Sequence, residues 1–315
     1  MTIWPIVQPV GLAVRALGIS LAIATVAMST MQAASAAPVA LAPHRAVYDI
    51  SLDRTASGSG VAELSGRMVY ELKGSPCDGY AQTTRFVMRI ESPKGKATIS
   101  DLRSVYWENG KATRFRFEAS QFENDRLTDR TVGSAKRKTF SGQLRVTIKK
   151  PKQSKSSLSP GALFPVQHSI KILAAARAGQ RIFSSDLYDG SGKGNKIYET
   201  TAVLGDRKAP GYNATLPPIS VSKPVVTGQD NKKSQAVTPA RSVNVLDGQV
   251  SWPVSLSYFE KTKKAHRDSI PAYELAFVFF ENGVSRKLFI DYGNFAIRGK
   301  LVRLDMLKSA HCPSK

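Results

Sequence analysis

The chain of 315 residues contains two cysteines, Cys77 and Cys312, and nearly all of its folding sequence lies between them. Joined, they require the last residues to return to the start of the fold, because a disulfide holds its Cα atoms within about 7 Å. Such a staple excludes two independent domains in a row and favours one sheet curled back on itself. Closing so long a loop stabilises by ~5 kcal/mol in the chain-entropy account. The pair lacks the C-x-x-C spacing of a redox couple and reads as a structural bridge.

A bridge needs an oxidising compartment, and the N-terminus supplies a route to one. Residues 1–36 read as a cleavable signal peptide: Arg15 is the one charge, an apolar run follows from Leu17 to Met28, and Ala34-Ser35-Ala36 fits an A-x-A cleavage site. No cysteine follows the apolar run to carry a lipid, and no twin arginine precedes it. The mature chain is expected to be soluble.

Beyond that segment the sequence reads as strand after strand. Ala46, Tyr48, Ile50 and Leu52 alternate with Arg45, Asp49 and Ser51; Leu64, Met68, Tyr70 and Leu72 alternate with Glu63, Arg67 and Glu71. The pattern recurs with Phe86, Met88 and Ile90, with Phe115 and Phe117, and with Leu144, Val146 and Ile148. A period of two signals strands with one buried and one wet face. Asn109-Gly110 and Asn282-Gly283 lie between apolar runs as hairpin turns. The hairpin around Gly283, from Tyr273 to Tyr292, is apolar on both sides and should lie centrally, covered on both faces. Phe164–Ala178 is the one clear helix, following Pro160-Gly161 and stopping before Gly179. Residues 149–160, rich in Lys and Ser, read as a loop. Residues 205–249, with Pro210, Pro217, Pro218, Pro224 and Pro239, read as a flexible Pro-rich insertion. The fold class expected is mainly β: residues 37–315 form a single curled antiparallel β-spiral or open barrel with one main α-helix, closed by one disulfide.

The net charge is +21, and no acidic residue occurs between Asp129 and Asp186. Within that interval Lys136, Arg137, Lys138, Lys149, Lys150, Lys152 and Lys155 form a candidate contact surface for an anion. In the cytosol such a stripe would suggest nucleic acid. After export no nucleic acid is expected, and the fitting partners are lipid head groups, lipopolysaccharide or other anionic envelope components.

No catalytic constellation stands out. His44, His168, His266 and His311 have no partners at metal-ligand spacing, and neither a G-x-S-x-G elbow nor an H-E-x-x-H run is present. Asp189–Gly194 (DGSGKG) lacks the spacing of a phosphate loop and reads as a tight turn. Asp101, Asp189 and Asp291 cannot be paired from sequence. No cofactor is implied. Phe86, Phe115, Phe117, Phe277 and Phe279 are either core or the lining of an apolar ligand site.

Six stretches carry a resemblance: Ala42–Leu52, Gly66–Tyr80, Leu163–His168, Tyr188–Gly194, Trp252–Phe259 and Glu281–Phe295. In combination they resemble the EipB-like cell-envelope integrity proteins of alphaproteobacteria. The resemblance implies a soluble periplasmic protein with a spiral antiparallel β fold, and its paired cysteines fall on Cys77 and Cys312. It further implies a role in envelope maintenance with a periplasmic tetratricopeptide-repeat partner, and it brings no enzymatic activity or defined ligand. The reading is therefore a non-enzymatic protein acting through protein or envelope-polymer contacts. The alternatives are a carrier binding a lipid or lipoprotein acyl chain inside the sheet and, further off, an envelope hydrolase.

Overall fold

The computed structural model describes residues 39–213, 215–217, 243–261, 270–309 and 312. The signal segment, most of the Pro-rich insertion, His266 and His311 lie outside the described residues. Fourteen strands follow in chain order: β1 (His44–Thr55), β2 (Glu63–Ser75), β3 (Gly79–Glu91), β4 (Ala97–Glu108), β5 (Arg114–Glu123), β6 (Arg126–Lys136), β7 (Leu144–Lys150), β8 (Ser154–Leu158), β9 (Ile182–Leu187), β10 (Tyr198–Leu204), β11 (Ser251–Glu260), β12 (Tyr273–Phe280), β13 (Ser285–Asp291) and β14 (Phe295–Met306). One helix, α1 (Pro165–Arg177), separates β8 from β9.

All fourteen form one sheet in the order β8-β7-β6-β5-β4-β3-β2-β1-β14-β13-β12-β11-β10-β9. Every pairing is antiparallel, so two meanders meet at β1 and β14. The sheet is not closed by hydrogen bonds: β8 and β9 are its two edges. The expected curled sheet is present, with the helix and the Cys77–Cys312 bridge, whose Cα atoms are 5.7 Å apart. β14 lies against β1 and not beside the Cys77 turn, so the tail passes the start of β1, where the Leu307 amide donates to the Pro43 carbonyl, on its way to the β2–β3 connection.

Alternation sets the two faces as read from sequence. His44, Ala46, Tyr48 and Ile50 of β1 are buried in a row. On β12 both faces are covered from Ala276 to Phe280, as its pattern required. The ends of the Pro-rich insertion lie against this part of the sheet: Lys208 forms a β-bridge with Ser251, and Val243 and Leu246 are buried in the main core. Residues 149–160 are not a simple loop. Ser154–Leu158 pairs with β7 as an edge strand, and its Ser/Lys composition hides the alternation because an edge needs little apolar surface.

Side chains seal the seam that hydrogen bonds leave open. Glu108, at the end of β4, is buried and accepts the Val166 amide at 2.9 Å and the Gln167 amide at 3.1 Å. It thereby caps the first turn of α1, whose own preceding residue, Phe164, offers no cap. Arg137, placed in the basic contact surface by sequence, is instead 5 % exposed. Its Nε donates to the Ala112 carbonyl at 2.8 Å and its Nη1 to the Ala162 carbonyl at 2.7 Å. The guanidinium sits between the rings of Phe140 (4.5 Å) and Phe164 (4.6 Å). It follows β6, where the chain turns inward, and the two carbonyls and the rings fit a planar fork better than water would.

The Asp189–Gly194 turn closes the same seam. It joins β9 to β10, as its composition suggested, and enters beneath β5–β7. Gly190 has φ +79, and a Cβ there would lie 2.5 Å from the Phe117 ring. A small second core fills this region: Phe115 stacks on Phe164 at 5.0 Å, with Tyr188 edge-on.

Replacing Gly190 by Ala should lower stability by about 1–3 kcal/mol, since it combines strain at positive φ with overpacking; a denaturant midpoint equal to wild type would contradict this packing. Arg137→Ala should cost about 2 kcal/mol or more, because two buried carbonyls lose their donors. Arg137→Lys should not restore the loss in the same urea titration, as a single ammonium cannot serve both carbonyls and the two rings.

Candidate functional site

Among several concave regions, two lie on opposite faces of the sheet. The outer one is a groove of about 1170 Å³ across β4–β8. Cross-strand register builds it: Trp107 lies opposite Arg116, Arg116 opposite Ser134, Ser134 opposite Thr147, and Thr147 opposite Lys155. In the next row Lys136 lies directly opposite Arg145. Lys149 completes a lining of five cations, Arg116, Lys136, Arg145, Lys149 and Lys155. None of the five is in a salt bridge with a described carboxylate; Glu118, the one acid in the groove, is held by Arg130 at 2.7 Å. Like charges directly opposite each other destabilise a sheet, so this face carries an uncompensated cost.

Of the sequence-selected cations, Lys136, Lys149 and Lys155 meet in this groove. Lys138, Lys150 and Lys152 are exposed but do not line it, and Arg137 is internal. Arg116 and Trp107, whose ring lies 5.3 Å from the Arg116 guanidinium, were not singled out by charge density. Their signal was register, which a run of Lys and Arg does not display.

The inner region is a cavity of about 350 Å³. Its apolar walls include Leu256, Leu275, Phe277, Phe279, Leu288 and Ile290. Phe277 and Phe279 line this cavity while belonging to the main core, Phe86 and Phe115 line neither region, and Phe117 of the second core also borders the groove. The cavity's polar walls include Tyr48, Tyr70, Tyr106, Tyr258, Tyr273, His44, His168 and Asp189, with Gln82, Thr84, Ser169 and Ser285. The helix delivers His168 and β1 delivers His44. The His44 Nδ1 lies 2.8 Å from the Ala42 carbonyl, so this nitrogen carries the proton and Nε2 is an acceptor. Thr200 donates its hydroxyl to the Ser185 carbonyl at 2.8 Å, so the His168 Nε2–H donates to Thr200 Oγ1 at 2.9 Å and Nδ1 is the acceptor. Burial lowers both histidines, His168 to about 4, and both are neutral at physiological pH. Burial likewise raises the Tyr70 and Tyr106 phenols to about 12.

The carboxylates that sequence left unpaired fall apart in space. Asp101 takes Arg85 at 2.9 Å and Arg103 at 2.6 Å. Asp291 pairs with Arg54 and lies opposite Glu274 across β12 and β13. Burial first, and then the Asp291 charge, raise Glu274, which accepts the Ser257 hydroxyl at 2.6 Å. This pair lines neither the groove nor the cavity. Asp189 alone faces the cavity. Among the described residues no three His, Cys, Asp or Glu side chains gather as a metal site.

Comparison with known proteins adds three findings. The EipB-like family profile matches residues 35–222 and 219–308. The cell envelope integrity protein EipB of Brucella abortus is 34% identical over 274 residues, covering 87% of each chain. A solved Brucella abortus structure, described as a beta-barrel-like protein of a domain of unknown function, superposes with a TM-score of 0.70 at 31% identity, over 86% of this chain and 100% of that one.

His168 gives a signed pH dependence. Its folded pKa, about 4, lies below the unfolded value of 6.5, so the unfolded chain binds the extra proton. Stability contributed at neutral pH is therefore lost as pH falls from 6.5 through 4, by roughly 3 kcal/mol in total. Glu108, raised by burial from 4.5 to about 8, runs the other way, its contribution falling as pH rises across that interval. The test is thus a difference: His168→Gln should lose less stability than wild type between pH 6.5 and 4, and parallel urea midpoints would contradict the assignment.

Proposed function

The chain belongs to the EipB-like family, and from that premise we propose that it maintains the cell envelope as a non-enzymatic periplasmic protein acting through contacts. The observation that carries the contact chemistry is the outer groove, where five cations lack carboxylate partners and Lys136 faces Arg145. A polyanion laid along it would relieve their repulsion, which suits the phosphates of lipid head groups or lipopolysaccharide. A periplasmic tetratricopeptide-repeat protein is the protein partner this reading takes from the family resemblance. The relative's description as a cell envelope integrity protein supports the same role.

The cavity favours a second reading, a carrier of an acyl chain. Its apolar walls and its volume, within the range of about 300–1,000 Å³ usual for small-ligand pockets, support it.

The groove reading is tested by charge reversal. Lys136→Glu with Arg145→Glu and Lys155→Glu should abolish binding to lipopolysaccharide or anionic vesicles and should fail to restore detergent and β-lactam resistance to a strain lacking the protein. Wild-type binding should weaken steeply from low to physiological salt. Salt-independent binding, or full complementation by the triple variant, would overturn the proposal.

A further inference from the structure

We propose that the interior cavity is a binding site for an organic ammonium ion, with Asp189 as its counter-charge and the surrounding tyrosines as its cage. This deepens the carrier reading by naming the charge of the cargo.

The argument starts from what lines the space. None of the cavity-lining residues is Lys or Arg, although the chain carries 45 of them. Both histidines are neutral and turn acceptor nitrogens away from the hydrogen bonds that fix them. The one group able to carry charge there is a carboxylate. Its Oδ1 accepts the Ser191 amide at 2.9 Å within the seam turn, and no described cation pairs with it. Of the lysines that follow, Lys193 is exposed and Lys196 is turned outward to Glu260. The groups facing Asp189 are phenols: its charge reaches Tyr106 on β4, Tyr188 beside it, Tyr258 on β11 and Tyr273 on β12. Deprotonating any of them would be still harder, so they meet the carboxyl as neutral rings and hydroxyls.

With no described cation beside it, Asp189 is raised by burial, while the hydrogen bond from Ser191 acts to lower it. Introducing a cation reverses that balance. An ammonium group restores the ionised carboxylate, gains the negative faces of desolvated aromatic rings, and places its alkyl part against Leu256, Leu275 and Phe277. An anion would meet the Asp189 carboxyl with no described Lys or Arg in the lining to offset it. The cavity therefore discriminates by sign of charge, which an apolar pocket alone cannot do.

At pH values below the folded pKa of Asp189 its carboxyl releases a proton to solvent as the cation enters; above it the cation meets the carboxylate directly, and in both cases the two charges neutralise each other. Calorimetry on the full mature protein tests this with choline, with its uncharged isostere 3,3-dimethylbutan-1-ol, and with laurate. Choline should bind at least about tenfold more tightly than the isostere. Its binding heat in buffers of different ionisation enthalpy should report proton release that approaches one per choline at pH values below the folded pKa of Asp189. Asp189→Asn should weaken choline on the order of tenfold while leaving the isostere unchanged; should that variant not fold, proton release by the wild type decides. Vesicles of phosphatidylcholine against phosphatidylglycerol separate a lipid-borne head group from a free solute: choline binding without vesicle preference assigns a soluble cation, and a preference for phosphatidylcholine assigns a lipid. Equal affinity for choline and isostere, or no proton release, overturns the ammonium site. Laurate binding that persists in Asp189→Asn would leave the acyl-carrier reading standing without it.

Discussion

The ladder between β1 and β14 holds this molecule together. Register runs along nearly its whole length, from His44 opposite Met306 to Thr55 opposite Phe295, with two bulges. On one side of it lie β2–β8 and on the other β13–β9, each a meander of local hairpins. Only this pairing brings the two arms into one sheet, and it joins residues from opposite ends of the folded chain. The loop entropy of such a contact is large and is lost before its hydrogen bonds form. The Cys77–Cys312 bridge lies just past this ladder, where it ties the tail to the neighbouring β2–β3 connection and keeps the ladder's end from fraying.

The opposite side of the fold obeys different physics. There the edges β8 and β9 share no ladder, and Leu163 occupies the β9 edge by bridging to Leu187. Closure depends on a short list of buried side chains: Glu108 on the helix N-terminus, Arg137 between two carbonyls and two rings, and a turn whose glycines leave room for Phe117 and Ile148. Such closure is chemically specific and locally strained in a way that a hydrogen-bonded seam would not be. Two ionisable groups are placed inside because the helix amides and the loop carbonyls there need partners.

Much of the architecture was legible because alternation is a physical requirement of a half-buried strand. The period of two at residues 45–52 and 144–148 located β1 and β7, and the doubly apolar run at Tyr273–Phe280 located a strand covered on both sides. β8 escaped because Ser154–Leu158 has little to bury. The functional surfaces were harder to read, and for a definable reason. Charge density along the chain picked out Arg137 with its neighbours, yet the chain turns inward at that residue; Arg116, earlier in the chain, reaches the groove through cross-strand register instead. The cavity gathers His44, Asp189 and the paired Tyr258 and Tyr273 from separate segments, and nothing in those segments marks them as sharing one interior. Spacing in sequence carries no record of which residues share an interior.

The seam has one further implication. Because it is closed by side chains, the sheet can part there without breaking a single rung of its backbone ladder. The two rims, β8 and β9, behave like the overlapping edges of a rolled page whose spine is the β1–β14 pair. Parting there strains only the contacts of a helix and a glycine turn, on a free-energy scale well below that of unfolding the sheet itself.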